Sequence, residues 1–186
     1  MSLARRLDAP AQAGPVLLRL SAGLARLEAG AAGLMAAATL VICVLGAVLR
    51  YLGAPLLWAD EAAIAAMTWG AFLGASALFG QRGHMAMDYL PERLGPAGRR
   101  RLQWLADAVV LLAFLGLCVL VWRWFDLPGL LRAGSAEALA QESFNFIWLE
   151  PTQTLGLRKV WVWLVLPLFA LGGTLHSLAH LAGRRA

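Results

Sequence analysis

Two histidines, His176 and His180, stand four residues apart near the end of the chain. On a helix that spacing puts both imidazoles on one face, as two ligands of a metal ion would be. Two imidazoles are too few for a metal centre, and no nearby cysteine or carboxylate completes one. An interfacial position at the cytoplasmic end of a helix is the expected role. Asp107 is the one carboxylate inside a long apolar block. An ionisable group at membrane depth is costly and usually functional, so a proton or sodium relay is one reading. The other is a side chain that reaches the interface or meets an arginine. That reading is favoured, because Asp107 lies near the start of its helix. Ser76, Ser177, Thr39 and Thr174 read as ordinary polar residues of apolar segments. Cys43 and Cys118 sit in apolar runs and offer neither a disulfide framework nor zinc spacing. No Ser–His–Asp pattern, phosphate loop or nucleic-acid motif falls on a suitable element. The chain is expected to be no enzyme, with no catalytic, substrate-binding or metal-ligating residue and no cofactor of its own.

The elements that carry these residues follow from composition. Of 186 residues, 60% are hydrophobic and 15% charged, and the mean hydropathy is +0.68. A soluble domain is about 45–50% apolar and about 25% charged. Disorder is excluded by this hydrophobicity. A soluble globule is disfavoured, since 16 basic and 11 acidic residues are too few to cover its surface. The net charge of +5 is scattered between apolar blocks. It therefore speaks for membrane topology, with lipid rather than nucleic acid as partner.

Four blocks reach the roughly 20 residues that a helix needs to cross a bilayer. They lie at about 29–49, 62–80, 102–122 and 160–183. Each is expected to be helical, because a spanning segment must satisfy its own backbone hydrogen bonds. Alternation of period two is absent, which argues against a β-barrel. Pro167 marks a kink in the fourth span. Before the first span, residues 16–28 carry Leu17, Leu20, Leu24 and Leu27 on one helical face and Arg19 and Arg26 on the opposite face. That pattern suits an amphipathic helix lying among the lipid headgroups. The alternative is an N-terminal extension of the first span.

Basic residues set the expected orientation. With a cytoplasmic N-terminus, eleven arginines fall inside, at positions 5, 6, 19, 26, 82, 93, 99, 100, 101, 184 and 185. Five basic residues fall outside: Arg50, Arg123, Arg132, Arg158 and Lys159. Both termini are therefore expected in the cytoplasm. Trp58, Trp104, Trp122, Trp124, Trp161 and Trp163 fall near the span ends, where indoles favour the interface. The expected fold is an all-α integral membrane protein of four transmembrane helices plus the N-terminal interfacial helix. Its parts are an arm over 1–28, a membrane domain over 29–183 and a tail over 184–186.

The second span shows Ala62, Ala66, Gly70 and Gly74 every four residues. Such a stripe of small side chains lets another helix approach closely. Trp69 lies well inside the same span, where helix packing is its expected role. Between the third and fourth spans, residues 136–149 are expected to form a short helix. Its Phe144, Phe146, Ile147 and Trp148 would either anchor in lipid or dock a partner outside the membrane.

Residues 58–90, WADEAAIAAMTWGAFLGASALFGQRGHMAMDYL, carry a recognisable pattern. Trp58, Asp60 and Glu61 open the second span, and a stretch from tryptophan to glycine runs from Trp69 to Gly74. Arg82 and the segment Gly83-His84-Met85-x-Met87-Asp88 close it. This resembles the small membrane subunit (Q-type, DctQ-like) of tripartite ATP-independent periplasmic (TRAP) transporters, over roughly residues 29–122 and 152–181. Residues 125–150 are longer and more aromatic than the family pattern.

The resemblance implies a non-catalytic scaffold in a bacterial inner membrane. Its partners would be a large M-type membrane subunit and a periplasmic solute-binding protein. Sodium coupling and cargo would belong to the large subunit, working as an elevator-type symporter. C4-dicarboxylates, other organic acids and sialic acids are the family's cargo. It also makes Trp58, Asp60, Glu61, Ala66, Trp69, Gly70, Gly74, Arg82, His84 and Asp88 candidates for the partner interface. Asp60 and Glu61 would meet the positive end of the second helix or pair with a base on a partner. His84 and Asp88 would cap the helix end, pair with Arg82 or meet the large subunit. Two other classes compete: a self-sufficient homodimeric transporter, and a membrane assembly or sensory protein. The substrate is not legible in this chain.

Overall fold

The computed structural model describes residues 16–81 and 95–183. It is helical, and among the described residues it has no strand, only an isolated bridge between Pro151 and Arg158. The helices are α1 (Val16–Tyr51), α2 (Ala59–Gly80), α3 (Pro96–Phe125), α4 (Leu127–Ala133), α5 (Ala136–Ser143), α6 (Val160–Trp163) and α7 (Val165–Ala182). Among the described residues four stretches are long and apolar enough to cross a membrane: α1, α2, α3 with α4, and α6 with α7. Each overlaps one of the four expected blocks.

No helix boundary falls at residue 28. Residues 16–28 and 29–49 form one uninterrupted helix of 36 residues, about 54 Å long at 1.5 Å per residue. Its cause is a seam that crosses that boundary. Ser21, Ala25, Glu28, Ala32, Met35, Thr39, Ile42 and Gly46 alternate four and three apart, and all are buried or half-buried. A 3–4 spacing keeps one face of a helix turned toward its neighbours. Leu20, Leu27, Arg19 and Arg26 are exposed, and Leu17 and Leu24 are half-buried. The polar and small side chains, not the leucines, face inward.

α2 runs back along this seam. A Cβ added to Gly46 would lie 3.2 Å from the Cβ of Ala59, one on Gly70 would lie 3.2 Å from that of Met35, and one on Gly74 would lie 3.6 Å from that of Ala32. These three pairs define an antiparallel register. The small stripe therefore brings together two helices of this same chain. The link between them is short, and Arg50 reaches across it to Asp60 at 3.0 Å.

The fourth span is the centre of the bundle. Of its most apolar window 39% is buried, against 6–11% for the other three. Edge-on rings join it to its neighbours. Phe72 of α2 meets Phe169 of α7 at 5.2 Å, Phe169 meets Phe114 of α3 at 5.3 Å, and Phe114 meets Phe79 of α2 at 5.3 Å. Each such pair contributes about 0.5–1.5 kcal/mol beyond its buried area. The expected kink is a break at Leu164, between α6 and α7. Pro167 has no N–H to offer the Trp163 carbonyl four residues earlier, so the helix parts just before it.

Residues 126–159 fold over one end of the bundle. Asp126 ends α3 in the left-handed region and caps α4 by accepting the Gly129 N–H at 3.0 Å. Ser135 caps α5 through the Ala138 N–H. That helix stops at Ser143, six residues short of its expected end, with Phe144 at φ 56°. The aromatic run then divides. Ile147 is buried with Val121, Phe125 and Val160, and Trp148 packs on them. Phe144 is 81% exposed.

Candidate functional site

At the end of the bundle where α1 begins and α7 finishes, three helices bring four polar side chains together. Ser21 and Glu28 come from the seam of α1, Ser76 from α2 and His176 from α7. Ser76 Oγ donates to Glu28 Oε1 at 2.8 Å. His176 Nε2 lies 3.0 Å from Glu28 Oε2, and its Nδ1 lies 2.7 Å from Ser21 Oγ. The geometry suits an Nε2–H of His176 donating to Glu28 Oε2 and a free Nδ1 accepting from Ser21. His176 is fully buried and the Glu28 side chain is 7% exposed. Ser76 and His176 lie roughly one to two helical turns inside the ends of their helices.

The backbone makes room for this cluster. A Cβ on Gly172 would stand 2.6 Å from Glu28 Oε1 and 2.9 Å from Ser76 Oγ. One on Gly80 would stand 2.7 Å from the His176 ring. Only hydrogen at these two positions leaves the space that the carboxylate and the imidazole occupy. One turn further on, His180 Nε2 donates to the carbonyl of Phe79 at 3.0 Å, near the C-terminus of α2, where carbonyls lack helical partners.

The histidine pair is packed inside the chain. Both rings are buried, and Glu28, 148 positions away in the chain, supplies the carboxylate that the local sequence lacked. Nor is Asp107 alone among carboxylates inside the bundle. Asp107 is half-buried and partnered, while Glu28 is the buried one. Among the described residues no three His, Cys, Asp or Glu side chains form a group that could hold a metal ion.

The opposite end holds its carboxylates differently. Glu61, in the first turn of α2, accepts the N–H groups of Gln153 (2.8 Å), Thr154 (2.7 Å) and Leu155 (3.1 Å), and the Thr154 hydroxyl (2.8 Å). The loop that it gathers is folded on itself. Thr152 N–H and Oγ both donate to the Leu157 carbonyl, and Glu150 pairs with Lys159. Asp60 takes the exposed pair with Arg50. Each of the two carboxylates thus has a partner inside the chain, in addition to its place at a helix N-terminus.

The other candidates divide. Ala66 and Trp69 are half-buried on α2, Gly70 and Gly74 face α1, and Trp58 is 40% exposed at the start of α2. Arg82, His84 and Asp88 lie outside the described residues. Sequence reasoning missed Ser21, Glu28 and Ser76. The available signal was the 3–4 seam through residues 21, 25, 28, 32 and 35, which makes Glu28 an inward-facing acid rather than the flank of a span.

A family model described as "Tripartite ATP-independent periplasmic transporters, DctQ component" matches residues 38–186. Ser76 and His176 lie within the matched segment, and Ser21 and Glu28 precede it. No curated protein and no solved structure matches the chain.

Proposed function

The chain belongs to the DctQ component family of TRAP transporters, and from that premise we propose that it is the passive brace of its transporter. In this reading it sits in a bacterial inner membrane, with both termini in the cytoplasm and the start of α1 at the headgroups. It steadies a large membrane subunit that carries organic acids with sodium after a periplasmic binding protein delivers them. The observation that supports a brace is the use of the buried polar groups. Both oxygens of Glu28 are engaged, one by Ser76 and one by His176. His176 is engaged at both nitrogens. A closed set of bonds that ties three helices together favours rigidity over passage of an ion.

The self-sufficient transporter requires a titrating carboxylate within a span: Asp107, the one inside an apolar block, with the buried Glu28 as a second. The test compares two kinds of proteoliposome. Vesicles holding this chain alone are expected to stay tight to organic acids with or without a sodium gradient. Vesicles that also hold the large subunit, supplied with binding protein, are expected to take up substrate. A saturable flux through the chain alone, abolished by Asp107→Asn or by Glu28→Gln, would overturn the brace.

A further inference from the structure

We propose that the groove between α3 and the fourth span, at the end covered by residues 126–159, binds an anionic phospholipid, with its acyl chain in the groove and its phosphate on Arg123. The groove is a cavity of about 560 Å³ walled by apolar side chains, among them Val121, Trp122, Leu164, Pro167 and Ala170. That volume falls within the roughly 300–1,000 Å³ typical of ligand pockets. It has a local cause. The fourth span breaks at Leu164 ahead of Pro167, and Ala170 is too small to fill the space one turn further along.

Beside the groove lies a second cavity of about 620 Å³ whose walls include Ser143, Asn145, Glu150 and Lys159. Arg123 contributes to the walls of both cavities. An arginine suits that junction, because its methylene stem lies along apolar surface while its guanidinium stays at the polar edge. The guanidinium forms no ion pair with any described residue, and Glu150 of the polar cavity is already paired with Lys159. One positive charge is therefore uncompensated above an apolar slot. Trp122 is 59% exposed next to it in the chain, as a side chain at a membrane–water interface is. A phosphodiester offers the planar guanidinium two oxygens at once, and only in an anionic lipid is its charge not already offset by a headgroup ammonium. An acyl chain supplies the apolar surface that the slot lacks.

Native mass spectrometry of the purified full chain tests this. It is given equal amounts of phosphatidylglycerol and phosphatidylcholine with the same acyl chains. Phosphatidylglycerol is expected to be retained about fivefold over phosphatidylcholine, the scale of one basic residue at an anionic lipid surface. Arg123→Gln is expected to erase that preference, and Arg123→Lys to keep part of it. Ala170→Phe, which fills the slot, is expected to lower retention of both lipids. Because Arg123 is exposed, its variants carry the test even if Ala170→Phe fails to fold. Equal retention of the two lipids by the unaltered chain, or an undiminished preference in Arg123→Gln, would overturn the proposal. So would loss of the bound lipid once the large subunit is co-purified, since the groove would then belong to a protein contact.

Discussion

Glu28 and Glu61 are both held by several hydrogen bonds, at opposite ends of one bundle, and the two ends are built on different terms. Glu28 meets side chains from two other helices in a buried place. Glu61 meets mostly backbone N–H groups of a single loop, at an exposed edge. Polar bonds are strongest where solvent does not compete, and that is also where an unpaired group is most damaging. The cluster around Glu28 therefore acts as a fastener of helices. Glu61 acts as a local clamp, whose loss is expected to leave the spans in place.

The largest effect is expected from removing one partner at Glu28. His176→Leu leaves the carboxylate buried without its imidazole and is expected to destabilise the bundle by about 3–5 kcal/mol. Thermal unfolding in detergent measures it, with cysteine cross-linking between α1 and α7 as a second readout. The double variant Glu28→Met/His176→Leu sharpens the contrast, because replacing a whole buried pair by apolar groups is often neutral. It should recover part of the loss, since the buried hydroxyls of Ser21 and Ser76 lose their partners as well. If the double variant is as unstable as the single, the cluster is not an energetically coupled pair.

Gly172→Ala comes next. Its methyl would press on Glu28 Oε1 and Ser76 Oγ, and overpacking of this kind costs about 1–3 kcal/mol. The same unfolding assay should show it, with Gly33→Ala, where an added Cβ meets nothing within 4 Å, as a control that is unchanged or slightly stabilised by helix propensity.

Glu61→Gln turns an amide NH2 toward backbone donors. It is expected to speed hydrogen exchange at Gln153, Thr154 and Leu155 by about tenfold or more while the spans keep their protection. Protection lost throughout the molecule would show that the two ends are not independent. The smallest effect belongs to Asp60→Ala. Its pair with Arg50 is exposed on both sides, and such pairs are worth about 0–1 kcal/mol. A melting temperature almost unchanged is the expected result.

Much of this architecture can be read from residue order. The apolar blocks 29–49, 62–80, 102–122 and 160–183 stand out because lipid requires uninterrupted apolar helix. Pro167 marks the break because a missing N–H is a local property. Helix continuity through residue 28 was harder to see. Arg26 and Glu28 look like the polar edge of a span, and only the inward seam shows that Glu28 has a buried destination. The aromatic run 144–148 was legible as apolar but not in its division. Ile147 packs inward while Phe144 stays outside because α5 ends at Ser143 and the backbone turns.

The sequence alone determined the class of protein, the number of spans and the identity of the small-residue stripe, since these depend on composition and on spacings of a few residues. Tertiary structure decided which helix the stripe meets, which carboxylate is buried and which histidine holds it. Those outcomes rest on pairs such as Glu28 and His176, separated by 148 positions. No local periodicity encodes such a distance. Only the antiparallel return of the spans brings the two residues within hydrogen-bond reach.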